Sequence, residues 1–162
     1  MKLTAGVLCL MGLFAWADAP KNLLKPINKV ESWRFEMAEA GKGSVKAVDD
    51  TVVFTVTETT GTDWHVQAVQ TDLDLLEGKE YTLTFQAKAD SARSIGVNAM
   101  IDKEDWHQIG LGEEAFLGKE YDTLKYTFRA ENVLSKKNRI SVVLGGSKGT
   151  VTIKGMTLTG PQ

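Results

Sequence analysis

The run Tyr81-Thr82-Leu83-Thr84-Phe85-Gln86-Ala87 alternates with a period of two: Tyr81, Leu83, Phe85 and Ala87 fall on one side, Thr82, Thr84 and Gln86 on the other. That is the geometry of an extended strand with one buried face, and it excludes the 3.6-residue stripe of an amphipathic helix. The same reading fits Ile95, Val97, Ala99 and Ile101, then Tyr126 and Phe128, then Ile140, Val142 and Leu144. Val151 and Ile153 open a last strand that continues through Met156 and Leu158. Thr51 to Thr57 is apolar at nearly every position and reads as buried on both sides or central, and Trp64 to Thr71 reads as a further strand. In Glu31 to Ala40, Val30, Trp33 and Met37 fit a helical stripe, but Trp33, Phe35 and Met37 also alternate with Arg34 and Glu36, and a strand is the reading adopted. Glycine-bearing turns such as Glu77-Gly78-Lys79 and Gly145-Gly146-Ser147-Lys148-Gly149 separate the runs. Eight to ten short strands without helical crossovers predict an all-β fold, an antiparallel two-sheet sandwich of jelly-roll type.

Ahead of the strands, Met1-Lys2 is followed by an uncharged stretch from Leu3 to Ala17 that ends in Ala15-Trp16-Ala17, the small-x-small pattern of a secretory signal peptide. The stretch falls short of the roughly 20 apolar residues that span a bilayer as a helix. A lipoprotein signal is disfavoured, because Leu8 precedes Cys9 where a small residue is wanted. The organisation expected is residues 1–17 as signal peptide and 18–162 as one β-sandwich domain, secreted, periplasmic or on the cell surface, with no membrane span. Cys9 is the only cysteine, so the exported chain has no disulfide. With 19 Lys and Arg against 21 Asp and Glu, the chain carries a formal charge of -2 and offers no basic field to gather nucleic acid.

Catalytic signatures are missing. Only His65 and His107 are available as bases, no Gly-x-Ser-x-Gly turn occurs, and the glycines at 145–149 lie between strands instead of opening a helix onto a phosphate. The acidic residues sit in turns, and nothing pairs two of them across a sheet face as glycoside hydrolysis requires. What does stand out is a repeated triplet, Asp63-Trp64-His65 and Asp105-Trp106-His107. Three readings are open. Two histidines and two aspartates form a zinc or copper site if the triplets meet, although neighbours on a strand point to opposite faces. The tryptophans serve simply as core residues. Or they stack against the apolar faces of sugar rings while planar amides and guanidiniums take the hydroxyls. Gln86, Asn98, Arg129 and Arg139 supply such groups at outward positions, and Gln67 lies three residues after Trp64.

The pattern resembles carbohydrate-binding modules of families 4 and 9. The resemblance is carried by Asn22-Leu23-Leu24, Trp33, Trp64-His65-Val66-Gln67, the stretch Leu75 to Ala89 with its Gly78-Lys79-x-Tyr81-Thr82-Leu83-x-Phe85-x-Ala87-Lys88-Ala89 core, Tyr126-Thr127-Phe128, Arg139 to Gly145, and Gly149 to Ile153. It implies a galactose-binding-domain-like jelly roll, non-catalytic, that holds one glycan chain such as a β-glucan or xylan along a concave sheet face. On that resemblance Trp64, Gln67, Asn98, Trp106 and Arg139 are the carbohydrate-binding residues. Two positions depart from it: Val143 stands where a hydrogen-bonding residue is usual, and Lys154-Gly155 replaces the Asp-Asp or Asp-Gly ending of the last strand. No cofactor is expected, and a structural calcium is not supported by the sequence. The alternatives are an extracytoplasmic jelly roll for protein or cell-surface assembly, an accessory module to a separate glycoside hydrolase, and a small enzyme.

Overall fold

The computed structural model describes residues 20–161; the signal peptide read at 1–17 lies outside them. Ten strands follow one another: β1 (Arg34–Met37), β2 (Lys42–Val48), β3 (Thr51–Glu58), β4 (Val66–Leu73), β5 (Glu80–Ala89), β6 (Arg93–Ile101), β7 (Gln108–Leu117), β8 (Asp122–Arg129), β9 (Asn138–Val143) and β10 (Gly149–Thr159). They form two five-stranded antiparallel sheets, one in the order β1-β4-β9-β6-β7 and the other β2-β3-β10-β5-β8. Each sheet buries one face against the other. Tyr81, Leu83, Phe85 and Ala87 of β5 meet Val97, Ala99, Ile140 and Val142 of β6 and β9 in a shared core. A fully buried side chain of this size contributes roughly 1.5–3 kcal/mol, so the alternating strands themselves supply the main force that closes the sandwich. Tyr81 is buried without an orphaned hydroxyl, since its Oη donates to the Pro161 carbonyl at 3.1 Å and accepts from the Leu76 amide at 2.8 Å.

Some local expectations need correction. Glu31 to Ala40 is not one strand: Val30–Ser32 makes a 3-10 turn and only Arg34–Met37 pairs with a neighbour, on β4. The competing periods in that segment reflect this change of conformation. Trp64 is not on a strand, because Asp63–His65 forms a second 3-10 turn and β4 begins at Val66. Gln86 and Arg129 lie on the outer face of the second sheet, away from Asn98, and the outward Arg139 is 4% exposed. That burial follows from position: β9 is the middle strand of its sheet, and all six of its residues are buried. Strands β2 and β7 went unread because their apolar positions are diluted by Lys42, Gly43 and Lys46 in one and by Gly110, Gly112, Glu113 and Glu114 in the other.

Candidate functional site

The strand register determines which side chains share the outer face of the β1-β4-β9-β6-β7 sheet. Glu36 pairs with Gln67, Gln67 with Val143, Val143 with Gly96, and Gly96 with Glu114, so one row crosses all five strands. The next row is Arg34, Val69, Ser141, Asn98 and Gly112; a third brings Arg139 beside Met100 and Met100 beside Gln108. At about 4.8 Å between strands, each complete row runs about 19 Å. Glycines at 96 and 112 keep the floor open. A Cβ on Gly112 overlaps the Gln108 side chain, which lies across that position and donates to Asn98 Oδ1 at 3.1 Å.

Two loops raise walls at opposite ends of the central strands. The Asp63–His65 turn is fastened beyond Val143, with the Gly145 amide donating to the Asp63 carbonyl at 2.7 Å and the Leu144 amide to the Val66 carbonyl at 2.8 Å. Gly145 is required here, because a Cβ would run into that same Asp63 carbonyl. Trp64 stands on this turn 55% exposed, edge-on to the His65 ring at 4.2 Å. At the other end, the β6–β7 loop carries Trp106 at φ 56°, a left-handed conformation that a bulky residue adopts only when its surroundings impose it. Its ring covers the Arg139 guanidinium at 4.8 Å while remaining 46% exposed. Between the walls lies a groove of about 600 Å³ lined by Glu36, Asp63, Trp64, Gln67, Asn98, Met100, Trp106, Gln108, Arg139 and Val143. A second hollow of about 430 Å³ shares Asp63, Asn98, Gln108 and Val143 with it and reaches Ser94, Gly112 and Glu114. All five residues singled out in the sequence therefore surround one groove.

Arg139 belongs to a charged network under the Trp106 wall. Arg34 donates to both carboxylate oxygens of Asp102, at 2.9 and 2.5 Å, and to Glu36 at 2.6 Å. Arg139 Nη1 is 3.4 Å from Glu36 and 3.6 Å from Asp102. The Arg34 hydrogen bond holds the Asp102 carboxyl below the usual range, and the same bond holds Arg34 above its own. For Arg139, desolvation outweighs the carboxylates and lowers its pKa. Its buried Nε has no hydrogen-bond partner among the described residues, and Gln67, 8% exposed, uses only its carbonyl, accepting from Ser141 Oγ at 3.4 Å. The Gln67 amide nitrogen, on a residue that lines the groove, thus remains available as a donor there.

The histidines do not converge on a metal. His65 Nδ1 pairs with Thr60 Oγ1 at 2.7 Å. His107 lies between Asp105 Oδ1 at 2.7 Å and the Asn132 carbonyl at 2.8 Å, and these two acceptors, the carbonyl foremost, raise its pKa. No group of three or more metal-ligating side chains occurs among the described residues. Lys154-Gly155, read as the ending of the last strand, lies in the middle of β10, and a structural calcium does not fit there, because Lys154 puts its ammonium over the Tyr121 ring at 4.1 Å. Sequence reasoning missed Glu36, Met100, Gln108, Gly96 and Gly112. Gln108 was detectable as the residue following the second triplet; the glycines became legible only with the register.

A sequence model of the family described as carbohydrate binding domain, modules of families 4 and 9, matches residues 27–149. No curated protein matches the sequence. Among solved structures, the chain is similar to a family 4 carbohydrate-binding module, at 22% identity and TM-score 0.75 over 89% of this chain and 96% of that one. It is also similar to the N-terminal cellulose-binding domain of Cellulomonas fimi β-1,4-glucanase C, at 17% identity and TM-score 0.69 over 89% and 98%. A third likeness is to a family 11 module from Clostridium thermocellum in complex with a β-1,3-1,4-mixed-linked tetrasaccharide, at 16% identity and TM-score 0.60 over 89% and 98%. The two-sheet fold is common to all three, and the match over residues 27–149 places this chain in the family of carbohydrate-binding domains that unites modules 4 and 9.

Proposed function

We propose that the chain is an exported, non-catalytic module that holds a single neutral glycan chain, of the β-glucan or xylan kind, across the five-stranded face between Trp64 and Trp106. One observation carries this reading: two half-exposed indoles, on loops at opposite ends of the central strands, line one groove together with Gln67, Asn98, Gln108 and Arg139, which offer planar hydrogen-bonding groups. Indole faces suit the C–H faces of a pyranose, and amides suit its hydroxyls, which both donate and accept. The groove carboxylates are already engaged, Glu36 with the two arginines and Asp63 with the Trp64 amide at 2.7 Å. Export rests on the signal peptide read at 1–17, and no described helix is long and apolar enough to cross a membrane.

The test is calorimetric titration of the 18–162 chain with cello-, xylo- and mixed-linkage oligosaccharides, run beside a reducing-sugar assay on the parent polysaccharides. Saturable binding in at least one series without release of reducing ends is the expected result. Absence of binding throughout, or turnover that survives purification, overturns the reading.

A further inference from the structure

Phe116 is the most exposed large apolar side chain among the described residues, at 69%. It lies on β7, an edge strand, where a bare aromatic invites edge-to-edge pairing and a charged residue is the usual protection. Its placement is set by the ladder. Phe116 pairs with Ser94 as Glu114 pairs with Gly96, and alternation puts Phe116 and Ser94 on the same outer face as the groove floor. Ser94, Gly96 and Glu114 all line the hollow that continues the main groove toward β7. Phe116 is one alternation, about 7 Å, past the Glu36-to-Glu114 row, so it stands at the exit of that hollow. The small Ser94 opposite leaves the ring uncovered, and none of the ring contacts among the described residues involves it.

We propose that Phe116 is a third stacking platform, which receives a sugar unit of the same glycan chain after it leaves the gap between Trp64 and Trp106 by way of Ser94 and Glu114. This rests on the glycan-binding reading above and deepens it: the ligand is a chain long enough to reach the β7 edge, and affinity grows with chain length through Phe116. The intervening hollow carries polar groups, with the Ser94 hydroxyl and the Glu114 carboxylate available to hydroxyl groups, so the site alternates an aromatic clamp, a hydrogen-bonding stretch and an aromatic exit.

The experiment compares wild type, Phe116→Ala and Phe116→Trp by calorimetry, using cellotetraose and cellohexaose and then xylotetraose and xylohexaose, with thermal unfolding and sedimentation as controls. Wild type is expected to prefer the hexamer in the series it binds. Phe116→Ala is expected to lose roughly three- to tenfold of that preference, the worth of one aromatic contact, and Phe116→Trp to keep it. Exposure of the ring means that the alanine variant unfolds at the wild-type temperature. Binding by wild type with no length preference, or an unchanged preference in Phe116→Ala, overturns the platform while leaving the Trp64–Trp106 groove standing. A wild-type dimer that Phe116→Ala makes monomeric, with length preference unchanged, identifies an edge contact instead and also overturns it. If wild type binds only the mixed-linkage series, the same comparison is made with its tetramer and hexamer; if it binds none of the three series, this proposal falls together with the reading beneath it.

Discussion

Trp64 and Trp33 allow the groove to be tested by contrast within one chain. A fully buried tryptophan covers on the order of 150–250 Å², and Trp64 is 55% exposed. Roughly 80–140 Å² of it is thus free to cover a sugar, worth ~2–3.5 kcal/mol at about 25 cal/mol per Å². Part of that is lost to ordering the complex, so Trp64→Ala is expected to weaken binding by about 2 kcal/mol, close to 30-fold in Kd. By the same bookkeeping its covered 45% is worth roughly 1.7–2.8 kcal/mol of folding stability, so the variant should stay folded; its covered side includes an edge contact with the His65 ring. Trp33 is 6% exposed, meets Phe54 edge-on at 5.1 Å and donates Nε1–H to the Ile27 carbonyl at 2.8 Å. Trp33→Ala should cost roughly 3–5 kcal/mol for the cavity, more for the orphaned carbonyl, and lower Tm by roughly 10 °C. The folded fraction of that variant should still bind. Calorimetric titration with hexasaccharides and thermal unfolding by circular dichroism report the two quantities separately. If Trp64→Ala binds like wild type, or loses as much stability as Trp33→Ala, the assignment of Trp64 to a binding wall is wrong.

Arg139→Lys keeps the charge but gives up the flat surface beneath Trp106, so affinity should drop about fivefold, the worth of a cation–π contact, and unchanged titration curves would count against a supporting role. Gly112→Ala puts a methyl group where the Gln108 amide lies. Because that amide is the flexible end of a side chain, folding should change by less than about 1 kcal/mol while glycan affinity falls several-fold with the loss of the Gln108–Asn98 bond; unchanged affinity would place that bond outside the site. Binding should also depend on pH through His107, which faces Asp105 and the Asn132 carbonyl, with Glu77 accepting from the Asn132 amide behind it. The His107 pKa is raised, so its hold on the Trp106 loop is complete below the ordinary histidine value of 6.5 and is lost as pH rises through the elevated one. The Asp105 pKa is lowered, so its share disappears only as pH falls through that depressed value. Affinity should therefore decline on the alkaline side, and His107→Gln should flatten the profile; a slope that persists in the variant assigns the dependence to another group.

How far the fold could be read from the sequence depended on how cleanly each strand separates its two faces. In β5 and β6 one face is core and the other is water, so alternation exposes both the strand and its orientation. β9 is covered on both sides, by the sandwich core and by the Arg34–Glu36–Asp102 network with Trp106 above, and its charged residue looked solvated because alternation cannot distinguish water from a salt-bridged groove floor. The five site residues were legible as residue types that suit a sugar. Their meeting depended on register, which sets Gln67 beside Val143 and Asn98 beside Ser141 and Gly112 across chain separations that no local pattern encodes. Glycines 96 and 112 carried no signal at all, since a glycine inside a strand reads as a weakness until the neighbour that needs the space is known.

The two Asp-Trp-His triplets illustrate the same limit from the side of chemistry. Aspartate and histidine beside one another suggest metal or catalysis by composition, but here their polar groups are taken up in hydrogen bonds that brace the loops carrying them, one of them across to Asn132. Asp63 accepts from the Trp64 amide and His65 pairs with Thr60; Asp105 and the Asn132 carbonyl hold His107 between them. What remains outside each set of bonds is the indole. A ligand that stacks on a mobile tryptophan must pay for immobilising it, whereas one that meets a tryptophan already fixed by its neighbours does not. The repeated triplet is therefore explained as a mount, used once on each wall, in which the polar residues restrain a loop too exposed to have a core and leave one aromatic face open to the groove.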